Sequence, residues 1–126
     1  MTQGEKQLLL KDLCARLPYQ PKLQIYYEEM SGSGVFDEEL WEIDGDGQYC
    51  NGGRRLEDIK PYLRPMSSMT DKEETLFRCE LPAIAKTDAQ LVAMRMELFL
   101  KGHLDFNHLI EKGLALKAPD DMYKTE

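Results

Sequence analysis

Histidine, cysteine and tryptophan are scarce in this chain, and one long stretch has no basic residue. The 126 residues include two histidines, three cysteines and one tryptophan. His103 and His108 are five apart, so neither HxxxH nor HExxH is present, and a metal-hydrolase reading is disfavoured. Cys14, Cys50 and Cys79 are odd in number and widely spaced, which gives no disulfide framework and no CxxC pair. They read as free thiols, with Cys14 and Cys79 facing a core and Cys50, near a turn, more accessible. No apolar run approaches membrane-spanning length. The polar start, Met1 to Lys6, and a leucine run cut short by Lys11 and Asp12 do not make a signal peptide, so a cytoplasmic protein is expected.

What is present is charge, unevenly placed. Lys and Arg total 16 against 23 Asp and Glu, a net charge of −7, which argues against nucleic-acid binding through phosphates. Between Leu23 and Gly53 stand Glu28, Glu29, Asp37, Glu38, Glu39, Glu42, Asp44 and Asp46 with no Lys or Arg. Elsewhere acids and bases nearly balance. Arg54, Arg55, Lys60 and Arg64 follow directly. The 42 % apolar and 31 % charged shares suit a single soluble domain, 1–126, able to build a core without staples.

Along the chain, Thr2 and Glu5 have capping-box spacing before Leu9, Leu13 and Leu17, predicting a helix from Gln3 to Arg16 that Pro18 ends. From Lys22 the period changes to two: Leu23, Ile25 and Tyr27 alternate with Gln24, Tyr26 and Glu28, a half-buried strand. Ser31 to Gly34 reads as a turn, Glu38 to Ile43 as a second strand and Asp44-Gly45-Asp46-Gly47 as a tight hairpin turn. A short third strand follows at Gln48 to Cys50, then a bulge or second turn at Asn51-Gly52-Gly53. Two prolines, Pro61 and Pro65, predict that Lys60 to Met66 is an extended crossing segment rather than a central strand. Thr70 with Glu73 and Thr87 with Gln90 repeat the capping spacing. They predict a helix closed by Pro82 and a well-buried one carrying Leu91, Val92, Met94, Met96, Leu98, Phe99 and Leu100. A third short helix, Phe106 to Lys112, follows an Asp105 cap; Leu114 to Leu116 reads as strand or coil, and the tail after Pro119 as frayed. The fold class is α+β: an N-terminal helix, a small antiparallel sheet of two or three strands, open or curled into a partial barrel, then three helices.

No motif names a reaction. The Asp44 loop fails the EF-hand pattern, since no frame puts both Gly at position six and an acid at position twelve. Gly52-Gly53-Arg54-Arg55 lacks a following helix and a P-loop lysine. No cofactor or metal is called for.

The segments Leu8 to Tyr19 (LLLKDLCARLPY), Ile59 to Thr70 (IKPYLRPMSSMT) and Phe106 to Pro119 (FNHLIEKGLALKAP) resemble a group of short uncharacterised proteins of gut anaerobic bacteria and their phages or prophages. The resemblance implies a mobile-element accessory protein and brings no activity and no site residues.

The leading expectation is a non-enzymatic accessory domain, monomer or small homo-oligomer, that binds a protein partner through its acidic hairpin. Glu28, Glu38, Glu42, Asp44 and Asp46 would supply charge, and Tyr26 and Trp41 apolar anchors. A plain solvated sheet face accounts for the same acids. Two alternatives stand beside it: a small-ligand protein or enzyme with Cys50, Cys79 and the histidines near a pocket, and nucleic-acid binding through Arg54, Arg55, Lys60 and Arg64.

Overall fold

The computed structural model describes residues 1–123. The Thr2 hydroxyl accepts the Glu5 N–H at 3.1 Å, and the Glu5 carboxylate accepts the Thr2 N–H at 2.9 Å. This reciprocal cap starts α1 (Gln3–Arg16). Leu17–Tyr19 form one 3₁₀ turn containing Pro18, and Gln20, at φ 48°, redirects the chain.

Strands β1 (Lys22–Glu29) and β2 (Gly32–Glu39) pair antiparallel over their whole length, from Lys22 opposite Glu39 to Glu29 opposite Gly32. The second strand therefore lies earlier than expected, and Gly32 to Gly34 belong to it rather than to a loop. Tyr27 provides the reason. Its ring lies across Gly34 on the facing strand, where a Cβ would come within 2.9 Å of the phenol oxygen. A glycine that looks like a turn residue is here the floor under an aromatic ring.

After Leu40 the chain leaves the sheet. The Asp44–Gly47 turn forms as expected, with Asp44 C=O accepting the Gly47 N–H at 3.0 Å. Its flanks meet in one bridge, Ile43 with Cys50, not in long strands. β3 (Tyr49–Cys50) and β4 (Arg54–Arg55) form a separate two-residue ladder.

β5 (Ile59–Leu63) overturns the reading of Lys60 to Met66 as a crossing segment. It is a central strand, antiparallel to β1 and parallel to β6 (Leu116–Lys117), in the order β2-β1-β5-β6. Pro61 is tolerated because of its phase. Leu63 C=O accepts the Ala118 N–H at 2.8 Å, so odd-numbered residues of β5 aim their backbone groups at β6. Pro61 thus points its nitrogen to that side, before the β6 pairing begins at Tyr62, and no ladder bond is lost. The result is a four-stranded mixed sheet, open rather than barrel-closed, in an α+β fold. Leu9 and Leu13 of α1 join Leu23, Ile25, Leu56, Ile59, Leu63, Leu109 and Leu114 in one core.

The segment between Arg64 and Leu104 contributes nothing to that core cluster. Thr70 and Glu73 form the second full capping box, opening α2 (Asp71–Thr75). A π turn (Leu76–Glu80) and α3 (Leu81–Ile84) continue the same rod. Pro82 does not end it: the wider turn accommodates the missing N–H, with Leu81 N–H reaching back to Leu76 C=O. α4 (Asp88–Lys101) is capped by Thr87, while the Gln90 side chain accepts the Lys86 N–H instead of completing the box. Contrary to expectation it is largely exposed; Leu100 alone among its residues is buried.

The short helix expected at Phe106 to Lys112 does not form. Residues 106–112 are turns, because His108 adopts left-handed backbone (φ 58°) and the Asp105 carboxylate takes the Leu109 and Ile110 N–H groups at 2.8 and 3.0 Å. The tail is not frayed as far as it is described. Tyr123 inserts its hydroxyl between β1 and β5, accepting the Lys22 N–H and donating to Tyr62 C=O, each at 2.8 Å; the residues after it lie outside the described range. The cysteines also reverse expectation: Cys14 and Cys79 are exposed and Cys50 is buried, since Cys50 turns inward from the β3 ladder. Among the described residues no helix is long and apolar enough to cross a membrane.

Candidate functional site

The hairpin places the expected contact residues on both faces of the β1–β2 pair and in the loop beyond it. Tyr26 and Glu28 share the outer face of the β1–β2 pair with Val35 and Ser33, their cross-strand partners. Tyr26 and Val35 are 42 % and 54 % exposed, an apolar pair set among acids. Glu38, opposite Leu23, lies on the other face and accepts a bond from the Trp41 indole N–H at 3.2 Å. Trp41 is half exposed. The Asn51 amide fixes its backbone by accepting the Trp41 N–H at 2.8 Å and donating to Glu39 C=O at 2.7 Å. Glu42 and Asp46 are exposed in the loop beyond. Asp44 serves its own turn, accepting the Gln48 N–H at 3.1 Å.

None of the eight hairpin acids forms an ion pair among the described residues. Of the bases that follow, Arg55 and Arg64 are engaged by other acids, while Arg54 lies on the hairpin itself. Arg55 pairs with Asp58 at 3.2 Å, Arg64 with Glu73 at 2.6 Å, and the Arg54 guanidinium lies 5.0 Å from the Phe36 ring centre. Arg54 and Arg55 share a shallow hollow of about 460 Å³ with Tyr26, Glu28 and Tyr49. Asp37 is bonded by a neutral group, the Tyr62 hydroxyl, at 2.8 Å. No base of the described residues therefore forms an ion pair with the hairpin acids.

The Cys/His arrangement does not assemble. Burial, then the charge of Glu38, pushes the Cys50 thiol up to about 11, away from the thiolate a nucleophile needs. Cys79 lines a shallow depression with Asp71, Glu74, Thr75 and Arg78, whereas His103 lines a cleft with Arg64, Glu73, Leu98, Lys101 and Tyr123. His108 is exposed.

That cleft is the feature the sequence did not announce. His103 has left-handed backbone (φ 55°) and stacks on Tyr123 at 3.8 Å between ring centres. Burial, reinforced by Arg16 and Arg64, lowers its pKa to about 4. Burial raises the Tyr123 phenol to about 12. A neutral imidazole stacked on a phenol that is itself hydrogen-bonded to the sheet suits a structural clasp rather than proton transfer near neutrality. The chain matches no family model, no curated protein and no solved structure.

Proposed function

We propose that this is a small non-enzymatic interaction protein whose acidic hairpin docks a basic partner protein. The absence of any ion pair to the eight hairpin acids among the described residues carries the reading. Complementary charge steers encounter and selects partners, and Tyr26, Val35 and Trp41 supply exposed apolar anchors beside it. The role of a mobile-element accessory protein, which the sequence resemblance implies, accords with this. The resembling segments contribute α1, β5 and β6 to the body; the hairpin and the segment from Thr75 to Gly102 lie outside them.

Retention on an immobilised lysine-rich peptide tests the reading. Wild type is retained at low salt, and the triple variant Glu28→Lys, Glu42→Lys, Asp46→Lys is lost. A control with the same net charge, Glu74→Lys, Glu80→Lys, Glu111→Lys, alters exposed acids elsewhere and stays bound. Equal recovery of the two triple variants would sink the proposal.

A further inference from the structure

The outer strand of the hairpin is an open sheet edge, and its phase is readable. Leu40 N–H donates to Pro21 C=O at 2.8 Å, which makes Pro21 and Leu40 a hydrogen-bonded pair. Such pairs alternate along an antiparallel ladder, so Gly32, Gly34, Phe36 and Glu38 turn their backbone toward β1. Ser33, Val35, Asp37 and Glu39 turn theirs outward. Glu39 C=O is taken by the Asn51 amide. The N–H and C=O groups of Ser33, Val35 and Asp37 have no backbone or side-chain partner among the described residues. This row of three donors and three acceptors is flanked on one face by Tyr26 and Val35 and on the other by Glu38.

We infer that β2 accepts a basic, extended segment of the partner protein as an added fifth strand. The inference rests on the proposed docking function and specifies its mode. An added strand presents side chains to both faces of the sheet, which explains how contact residues split between two faces can serve one partner. Charge complementarity selects the occupant. Asp37, Glu38 and Glu39 run consecutively at one end of the edge, so an antiparallel guest places three bases opposite them and an apolar residue opposite Val35. A second copy would bring three more acids to the same edge, the device by which proteins discourage edge-to-edge pairing.

The probe is the synthetic peptide acetyl-Lys-Lys-Lys-Thr-Val-Thr-Thr-amide, run against the same sequence N-methylated at alternate residues, which keeps the charge and removes strand pairing. The unmodified peptide is expected to bind at least tenfold tighter and to slow amide exchange at Ser33, Val35 and Asp37. Val35→Pro removes one outward N–H and no bond to β1; it is expected to lose the same tenfold while keeping the wild-type melting temperature. Equal binding of both peptides would overturn strand addition but leave charge-based docking intact; no binding of either would overturn both. A dimer of the free chain that Val35→Pro abolishes would reassign the edge to a second copy and overturn the proposal.

Discussion

α1 and α4 are matched in length and in the threonine that caps them, yet they end in opposite environments. Each has 14 residues. α4 is the more apolar, with Leu91, Val92, Met94, Met96, Leu98, Phe99 and Leu100, but Val92 is 65 % exposed and Met96 39 %. α1 buries Leu9 and Leu13 and, more unusually, Asp12 and Arg16. Arg16 Nε meets Asp12 Oδ1 at 2.6 Å with both side chains fully enclosed. A second donor goes to Leu104 C=O at 2.7 Å, and the Asn107 amide completes the carboxylate at 2.8 Å. Apolar content does not decide where a helix goes. α1 has a sheet to cover, while α4 packs on the short α2–α3 rod and the turns that follow α4, through stacked rings, Phe77 on Phe99 and Phe99 on Phe106.

The contrast is broken most severely at Asp12. Asp12→Ala strands the Arg16 guanidinium in the core, an imbalance that costs about 3–5 kcal/mol; urea unfolding should show it as a large drop in midpoint. The next effect belongs to the junction between the two regions, at His103. Its folded pKa of about 4 lies below its ordinary value of 6.5, so the unfolded chain takes up the proton first. The stability from keeping it neutral is complete above pH 6.5 and falls as pH drops toward 4, by up to about 3 kcal/mol. His103→Asn, which tolerates the left-handed backbone, should flatten the melting temperature over that window, and an unchanged pH profile would contradict the assignment. Smallest is Val92→Ala on the exposed face of α4, expected to stay within about 0.5 kcal/mol in the same urea assay. A loss as large as a buried truncation would show that α4 is covered in solution.

What the sequence made legible was local. The Thr2 and Thr70 capping boxes, the period-two pattern of β1 and the Asp44 turn each depend on neighbours within a few residues, and each formed. What escaped it was set across the sheet. Gly32 to Gly34 look like a turn until Tyr27 is seen lying over Gly34. Pro61 looks excluded from a central strand until its phase toward β6 is known. Asp105 does cap, but His108 bends the backbone and no helix follows. For the candidate site the charge asymmetry was readable, whereas the division of its residues between two faces was not, because strand register decides it and a one-residue slip reverses every side chain. Nor did spacing reveal that β2 is an edge, since that depends on Ile59 to Pro61, far along the chain, pairing with the other side of β1.

Arg64 carries a further consequence, one of modularity. Its guanidinium donates to Ser68 C=O at 2.9 Å, to Gly102 C=O at 3.0 Å and to both Glu73 oxygens. Its backbone continues β5 by pairing with His103 and Asp105, each at 2.8 Å. The two ends of the helical segment are thus fastened to the same residue, and the sheet resumes as though the segment were not there. Residues 69–101 have the topology of an insert spliced into a complete body, the arrangement in which length and sequence can change with least disturbance to the host fold.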